Sequence, residues 1–330
     1  MGHVGRRQFL MATSALFAAP HTVRAQQSGR TYVVGTLISG GPAELALYRA
    51  ALRERLANHG FVEGRNLRIE DRLNAGDSDG AYRATREFVA MKVDAIFACG
   101  TQSTLGVQAA TKSVPVVFTW VQEPARLGIV GAFARPGGNI TGVTHREAEV
   151  IQKRFELALE LAPDAKRIAI LSSAGIRAIP EVLRPRLVEV AERTGVELVE
   201  LNVFGGASAI ENASQAGAKA VLTLWHLIRT GHRRVLEILI QRSRELGIPL
   251  IVVGAEEVEA GALVAYGARI IDDLQRAAEM LARVLKGEKP GDLPVDQASR
   301  FELAVNLKTA KAIGLTIPQS IMLRADRVIE

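Results

Sequence analysis

The sequence predicts an α/β protein made of two similar lobes, each a parallel sheet flanked by helices. From Val33 onward, short runs of β-branched residues alternate with segments of helical periodicity. That alternation is typical of parallel sheets covered by helices. The pattern restarts after 135–139, a cluster (RPGGN) too rich in breakers to continue an element. The length exceeds what one core usually serves, and the 48% hydrophobic content suits a well-packed protein, so we expect two lobes.

The first lobe begins with a predicted strand over 33–38 and a turn at Gly40-Gly41. A helix follows, closed by Gly60 as its C-cap, and its apolar stripe consists of Leu45, Tyr48, Leu52 and Leu56. Further strands are predicted over 67–73, 94–98 and 116–119. Helices between them would complete the crossover connections that a parallel sheet requires.

The second lobe begins with an amphipathic helix carrying Ile151, Phe155, Ala158 and Ala162. Its predicted strands cover 167–171, 197–203, 220–224, 250–253 and 263–266, and its clearest helix covers 232–246. The two halves also resemble each other. The stretch VDAIFACGTQST, followed later by SVPVVFT, has the same order as AKAVLTLWHLIRT, followed later by LGIPLIVVG. Both give strand, polar loop, helix and a second strand after X-Pro, which indicates a pair of similar lobes.

The first 25 residues have the order of a removable export signal. RRQFL at 6–10 opens an apolar run, and VRA at 23–25 offers a small-residue cleavage site. The paired arginines resemble the twin-arginine class, which predicts a periplasmic protein. The apolar run has about 11 residues, against roughly 20 in a spanning helix, so we expect no stable membrane anchor.

Charge and cysteine content narrow the function classes. Removal of the signal, which holds three arginines and no acid, lowers the formal net charge from +6 to +3 and gives no argument for nucleic-acid binding. The single cysteine, Cys99, cannot form an internal disulfide and lies in an apolar strand. We therefore expect a buried, inert thiol rather than a nucleophile.

Small hydroxyl and amide residues, with two tryptophans, follow the predicted strands. In open parallel sheets, ligands bind outside the carboxyl ends of the strands. Such residues could hydrogen-bond a polar ligand and stack against a flat one. The candidate ligand-binding residues are Ser39, Gly40, Asn74, Thr101, Gln102, Ser103, Trp120, Gln122, Glu123, Ser172, Ser173, Trp225, His226 and Glu256.

Several of these candidates have a second interpretation. The Thr101-Gln102-Ser103 loop opens a helix whose free amides favour an anion, but Thr101 or Ser103 could simply cap that helix. Trp225 could belong to the core, and His226 could satisfy a local hydrogen bond. The acid pairs Glu256-Glu257 and Asp272-Asp273 are expected to be solvated charges at helix starts.

Motifs for catalysis or metal binding are not found in the sequence. It has no Gly-x-Ser-x-Gly elbow, no Gly-x-Gly-x-x-Gly after the first strand, no Walker loop and no His-Glu-x-x-His. None of the six histidines shows metal-ligand spacing. We expect neither an enzyme nor a cofactor or metal.

Three long segments carry a family resemblance: HGFVEGRNLRIE (59–70), EPARLGIVGAFARPGGNITGV (123–143) and the tail from 301 to 330. They resemble the ABC transporter substrate-binding family that includes relatives binding tryptophan and other aromatic amino acids. Glu123 stands where many members carry an aspartate. The resemblance implies a type I periplasmic binding protein fold, with three hinge crossings and a ligand cleft between the lobes. It also implies delivery of a small solute to a membrane permease with an ATPase partner.

The residues themselves suggest where the crossings lie. Gly137–Gly142, Tyr266-Gly267 and Leu293–Asp296 are the expected points. Glycine supplies the conformational freedom that closure needs at the first two, although turn formation alone would explain each glycine equally well. The predicted division is a signal at 1–25, an N-terminal lobe at 26–139 plus 267–294, and a C-terminal lobe at 140–266 plus 295–330.

The ligand expected from these features is an amino acid or a small aromatic carboxylate. An exported α/β enzyme with a small substrate remains an alternative. So does a periplasmic module that presents bound solute to a membrane receptor. A cytoplasmic sugar-responsive regulator would need a helix-turn-helix before the first strand, where the sequence has the export signal instead.

Overall fold

Two separate sheets, each covered by helices, make up the described chain. The computed structural model describes residues 29–39, 42–74, 77–172, 178–228 and 231–330. The expected export signal, Gly40 and Ser173 lie outside these residues. Tyr32–Glu330 form one compact unit. Within the described ranges, no helix is both long and apolar enough to cross a bilayer.

The first sheet has six strands, all parallel, in the order β11-β5-β4-β3-β1-β2. They are β1 (Tyr32–Ile38), β2 (Leu67–Leu73), β3 (Ala95–Cys99), β4 (Val116–Gln122), β5 (Ile140–His145) and β11 (Asp296–Gln297). β1 to β4 confirm the strands expected in the first lobe, with ends that differ by a few residues. β5 and β11 were not predicted.

The second sheet has seven strands in the order β13-β12-β10-β9-β8-β6-β7. They are β6 (Arg167–Ser172), β7 (Glu197–Asn202), β8 (Val221–Thr223), β9 (Leu250–Val252), β10 (Val264–Ala268), β12 (Phe301–Asn306) and β13 (Arg327–Ile329). β12 runs antiparallel to β10, and the other pairs are parallel. β6 to β10 were predicted, whereas β12 and β13 were not.

The helices cover both faces of both sheets. They are α1 (Pro42–Asn58), α2 (Ser78–Ala90), α3 (Thr101–Ala110), α4 (Glu147–Leu161), α5 (Ala178–Thr194), α6 (Ala207–Gln215), α7 (Arg233–Leu246), α8 (Ala255–Glu259), α9 (Ile270–Leu285), α10 (Leu307–Ala312) and α11 (Gln319–Met322). α1 and α9 pack on one face of the first sheet, and α2 and α3 on the other. In the second sheet, α4, α5, α10 and α11 lie on one face and α6 to α8 on the other. The predicted α/β architecture of two helix-covered, mainly parallel sheets is confirmed.

The apolar stripe of α9 shows why the helices adhere to the sheets. Leu274, Ala277 and Leu281 recur at helical spacing and are fully buried. Burying one large aliphatic side chain contributes roughly 1.5–3 kcal/mol, so the stripe fixes α9 on the first sheet. The acids Asp272 and Asp273 lie in its first turn, where the helix dipole favours negative charge.

Along the residues that the structure describes, the chain passes between the sheets three times, and each passage lies at the carboxyl end of a parallel strand. It leaves β5 for α4, leaves β10 for α9, and leaves β11 for β12. The second and third passages lie side by side, because the Arg269 amide donates to the Arg300 carbonyl at 3.1 Å. The carboxyl edges of both sheets therefore adjoin the same three connections.

The passages fall later in the chain than the sequence suggested. The expected first crossing, Gly137–Gly142, runs into β5, and β11 also belongs to the first sheet, although both were assigned to the C-terminal lobe. The breaker cluster at 135–139 turns the chain within the first sheet, where Asn139 Nδ2 donates to the Val114 carbonyl at 2.6 Å. The full division into lobes stays a prediction.

Gly142 and Gly267 are needed for close packing of strands. A Cβ on Gly142 would lie 2.1 Å from the Phe118 carbonyl oxygen. A Cβ on Gly267 would lie 2.1 Å from the Val253 carbonyl oxygen. Both glycines lie inside strands, where a side chain would push the neighbouring backbone away.

Candidate functional site

The carboxyl edge of the first sheet carries a bonded cluster of Ser39, Asn74 and Ser103. The Ser39 and Ser103 hydroxyls share a hydrogen bond of 2.9 Å, and Asn74 Nδ2 donates to Ser103 Oγ at 3.0 Å. Asn74 and Ser103 are buried, whereas Ser39 is half-buried. The topology brings these three predicted residues together, because they follow or flank β1, β2 and β3.

The loop that opens α3 is not capped by a side chain. Gly100 occupies the N-cap position, so Thr101 and Ser103 do not cap the helix. Thr101 Oγ1 instead accepts a hydrogen bond from the Gln122 amide at 3.2 Å, which ties α3 to the end of β4. Gln102 is half-buried in the first turn. This arrangement leaves the helix N-terminus facing the sheet edge, where it favours negative charge.

Trp120 occupies a strained position at the end of β4. The pairing of β4 with β5 shifts register between Thr119 and Val121, and Trp120 has φ 59°. A bulky residue with positive φ is uncommon, and such strain clusters at binding sites. The indole packs on Tyr48 of α1, with ring centroids 4.7 Å apart. Its nitrogen is buried and has no hydrogen-bond partner among the described residues.

Gln122 and Glu123 end the same strand. The Gln122 side chain is 7% exposed, and its Oε1 has no donor among the described residues. Glu123 is half-buried, has φ 44°, and starts the loop that leads to Leu127. Two positive-φ residues within four positions mark the end of β4 as a locally strained segment.

The corresponding edge of the second sheet contains Thr223 and Trp225, supported by Arg154. Arg154 is fully buried on α4, and its Nη1 donates to the Thr223 carbonyl at 2.8 Å. Trp225 is half-buried and packs on the core of the second sheet. Thr223 Oγ1 and Trp225 Nε1 are buried without a hydrogen-bond partner in the part of the chain that the structure describes.

His226 lies between two glutamates at the same edge. Its Nε2 is 3.3 Å from Glu256 Oε2, and its Nδ1 is 3.5 Å from Glu257 Oε1. Glu256 is half-exposed, as expected for a solvated charge. Glu257 is fully buried and accepts hydrogen bonds from the amides of Leu227 (2.6 Å), Val253 (3.1 Å) and Gly254 (3.1 Å). The expectation that Glu257 is solvated is therefore wrong, because backbone donors supply the partners that water would otherwise provide.

The expectation of a solvated charge is also wrong for Asp273, in the second acid pair. It is 2% exposed, and its Oδ1 accepts from Arg276 Nη2 at 2.7 Å.

Ser172, at the end of β6, is half-buried. Cys99 is buried, as predicted, and burial raises the pKa of its thiol, so that it stays protonated.

Apolar contacts to Leu183 connect the segments that follow β4 and β8. Leu127, on the loop after β4, packs against Leu183 of α5, and Trp225 packs against the same leucine. The ends of β4 and β8 are therefore linked through Leu183.

Among the described residues, no group of three or more His, Cys, Asp or Glu could hold a metal ion. Whether the predicted site residues bind a ligand stays a prediction.

Sequence reasoning did not identify Arg154, Thr223 or Glu257. Arg154 had a usable signal, because it lies three residues after Ile151 on the apolar stripe of α4, where a charged residue is unexpected. The burial of Glu257 depends on amides from three separate positions. No local sequence pattern reveals such an arrangement.

The fold and its polar strand ends define a class of protein. The chain belongs to the ABC transporter substrate binding protein family, whose model matches residues 34–329. It is therefore a solute-binding protein of an ABC transporter, and its family is one of binding proteins rather than enzymes. Its resemblance to that family is thus confirmed.

Particular relatives agree with this assignment. The tyrosine-binding protein of Clostridioides difficile (strain R20291) is 27% identical over 262 residues, which cover 79% of this chain and 74% of that protein. A conserved domain protein from Vibrio cholerae has a TM-score of 0.81 at 24% identity, over 91% of this chain and 100% of that one. The ABC domain from Streptococcus pneumonia, solved with L-Trp, has a TM-score of 0.78 at 24% identity, over the same shares. The structural likeness establishes the type I periplasmic binding protein fold.

Proposed function

We propose that this protein is the extracytoplasmic receptor of an ABC importer and captures a small solute by closure of its two lobes. The observation that carries the proposal is the family match, which spans both sheets. The solute would lie between the carboxyl edges of the sheets and favour the closed form, whose surface the permease and its ATPase recognise. The export signal expected at 1–25 fits a periplasmic site of action.

The preferred solute is an amino acid or a small aromatic carboxylate. The uncapped N-terminus of α3 favours a negatively charged group. The tyrosine named for one relative and the L-Trp bound to another belong to the same chemical class. The candidate ligand-binding residues identified from the sequence form the proposed cleft lining.

A thermal-shift screen tests the proposal. The chain from Gln26 onward is unfolded, stripped of bound ligand and refolded, then mixed with amino acids, aromatic carboxylates, sugars and nucleosides. A ligand at 100 times its Kd adds about 2.7 kcal/mol to the free energy of unfolding, which raises Tm visibly. A tight hit recovered chemically unchanged supports a receptor. A hit that is consumed supports the alternative of an exported enzyme.

Two threonine variants locate the ligand. Thr101→Ala removes a hydroxyl at the start of α3 that accepts from the Gln122 amide, whereas Thr85→Ala removes a buried hydroxyl that donates to the Ala81 carbonyl within α2. Only Thr101→Ala should weaken ligand binding, although both should lower Tm. Equal affinity in the two variants would place the ligand away from α3.

Whether the closed form serves a permease or a receptor for sensing is decided by reconstitution with the candidate permease in vesicles.

A further inference from the structure

The two tryptophans at the sheet edges have their rings engaged and their N–H groups unengaged. Trp120 packs on Tyr48 and on the core under α1 and α9, while Trp225 packs on the core under α4 and on Leu183. Each indole nitrogen is nevertheless buried without an acceptor in the described ranges. Buried polar groups are usually hydrogen-bonded, so a buried donor without a protein partner is a candidate for a ligand contact.

Gln122 offers a hydrogen-bond acceptor on the same strand as Trp120, whose indole N–H is a donor. Its Oε1 is a buried acceptor without a donor among the residues described, two positions along β4 from Trp120. A ligand that satisfies both groups has to carry both an acceptor and a donor. An α-amino acid does so, because its carboxylate and its ammonium are attached to the same carbon.

The surroundings favour a negatively charged acceptor. The fully buried guanidinium of Arg154 donates to the Thr223 carbonyl, two residues before Trp225. On the other side, α3 begins against the end of β4 through the bond between Thr101 and Gln122. Its helix dipole favours a carboxylate.

We propose that the solute is an α-amino acid whose carboxylate accepts hydrogen bonds from Trp120 Nε1 and Trp225 Nε1, and whose ammonium donates to Gln122 Oε1. This inference rests on the proposed solute-binding function. The tryptophans then act as hydrogen-bond donors from the two sheets rather than as stacking surfaces. Ligands that lack the carboxylate lose a contact to both sheets.

The test pairs protein variants with ligand analogues. Trp120→Phe and Trp225→Phe each keep an aromatic ring and remove the N–H. Their Kd values are measured by calorimetry for L-tyrosine and for tyramine, which lacks the carboxylate; L-tryptophan and tryptamine serve if the wild type prefers them. Hydrogen bonds to a charged group predict a loss of about tenfold or more for the amino acid, but little change for the amine. Lost packing would weaken both ligands alike.

Gln122→Met provides the matching test for the ammonium. It should weaken L-tyrosine by about tenfold and leave 3-(4-hydroxyphenyl)propionate, which lacks the amine, unchanged. Because the chain has two tryptophans, its indole N–H resonances can be assigned with the Phe variants. Both resonances should move on addition of L-tyrosine and stay near their ligand-free positions with tyramine.

The outcomes separate the two proposals. If the wild type binds an amino acid but the variants lose both ligands equally, or neither, this inference is overturned and the receptor function stands. A wild-type hit without a carboxylate, such as a sugar, likewise overturns the inference alone. If no member of the panel binds, both proposals fail.

Discussion

Replacing Glu257 with alanine is expected to destabilise the protein by about 3–5 kcal/mol. The fully buried carboxylate accepts hydrogen bonds from three backbone amides, and its removal leaves all three buried without that acceptor. Each unsatisfied donor costs roughly 1–3 kcal/mol, and the costs add incompletely because the backbone relaxes. The three amides belong to the segments that follow β8 and β9, so the loss falls on the proposed ligand-binding edge.

Glu256→Ala is the matched control. Glu256 is the adjacent residue of the same type, but its side chain is 47% exposed and lies 3.3 Å from His226. A half-exposed carboxylate keeps much of its contact with water and its side-chain contacts contribute roughly 0–1 kcal/mol, so this variant should unfold close to the wild type. Urea unfolding followed by circular dichroism gives both free energies. If the two variants lose the same free energy, and less than about 1 kcal/mol, the reasoning about Glu257 is refuted.

Three further predictions concern packing, charge and reactivity. Gly267→Ala should lower the urea midpoint, because its Cβ would lie 2.1 Å from the Val253 carbonyl oxygen; an unchanged midpoint would show that β9 and β10 separate without cost. A hydrogen bond from Lys153 lowers the pKa of the Glu156 carboxyl below its ordinary 4.5, so its contribution is present above that pH and is lost as pH falls through the lowered pKa. Glu156→Gln should therefore reduce the loss of stability below pH 4.5, and parallel pH curves would contradict this. The Cys99 thiol, buried and with a raised pKa, should react with iodoacetamide only in urea; labelling of the folded protein would contradict its burial.

Strands that have a clear pattern in their own residues could be predicted from the sequence. Leu67–Leu73 was predicted with its observed bounds, because its apolar residues recur in a strand pattern between clear turns. β5 was missed because it follows a breaker cluster that normally ends an element. β12 was missed because its partner, β10, lies before α9 and β11 in the chain, and such pairing leaves no local pattern.

The candidate site could be predicted in part. Residues at strand ends were identified because the topology of a parallel sheet fixes that edge, and Ser39, Asn74 and Ser103 do meet there. The strain at Trp120 could not be foreseen, since it arises from a register shift between two strands. The roles of buried charges could not be foreseen either, because a carboxylate such as Glu257 is buried only when distant amides converge on it.

The three passages between the sheets also constrain how the protein can fold as it is synthesised. β10 obtains its antiparallel neighbour β12 only after α9 and β11 have been made, and α9 covers strands of the first sheet that were made much earlier. Both sheets are therefore completed by the same late stretch of chain, and long-range pairing of this kind is slow. The first sheet has all its strands once β11 has been made, whereas the second sheet still lacks β12 and β13. Nascent chains therefore expose an open edge of the second sheet until nearly the whole sequence has emerged.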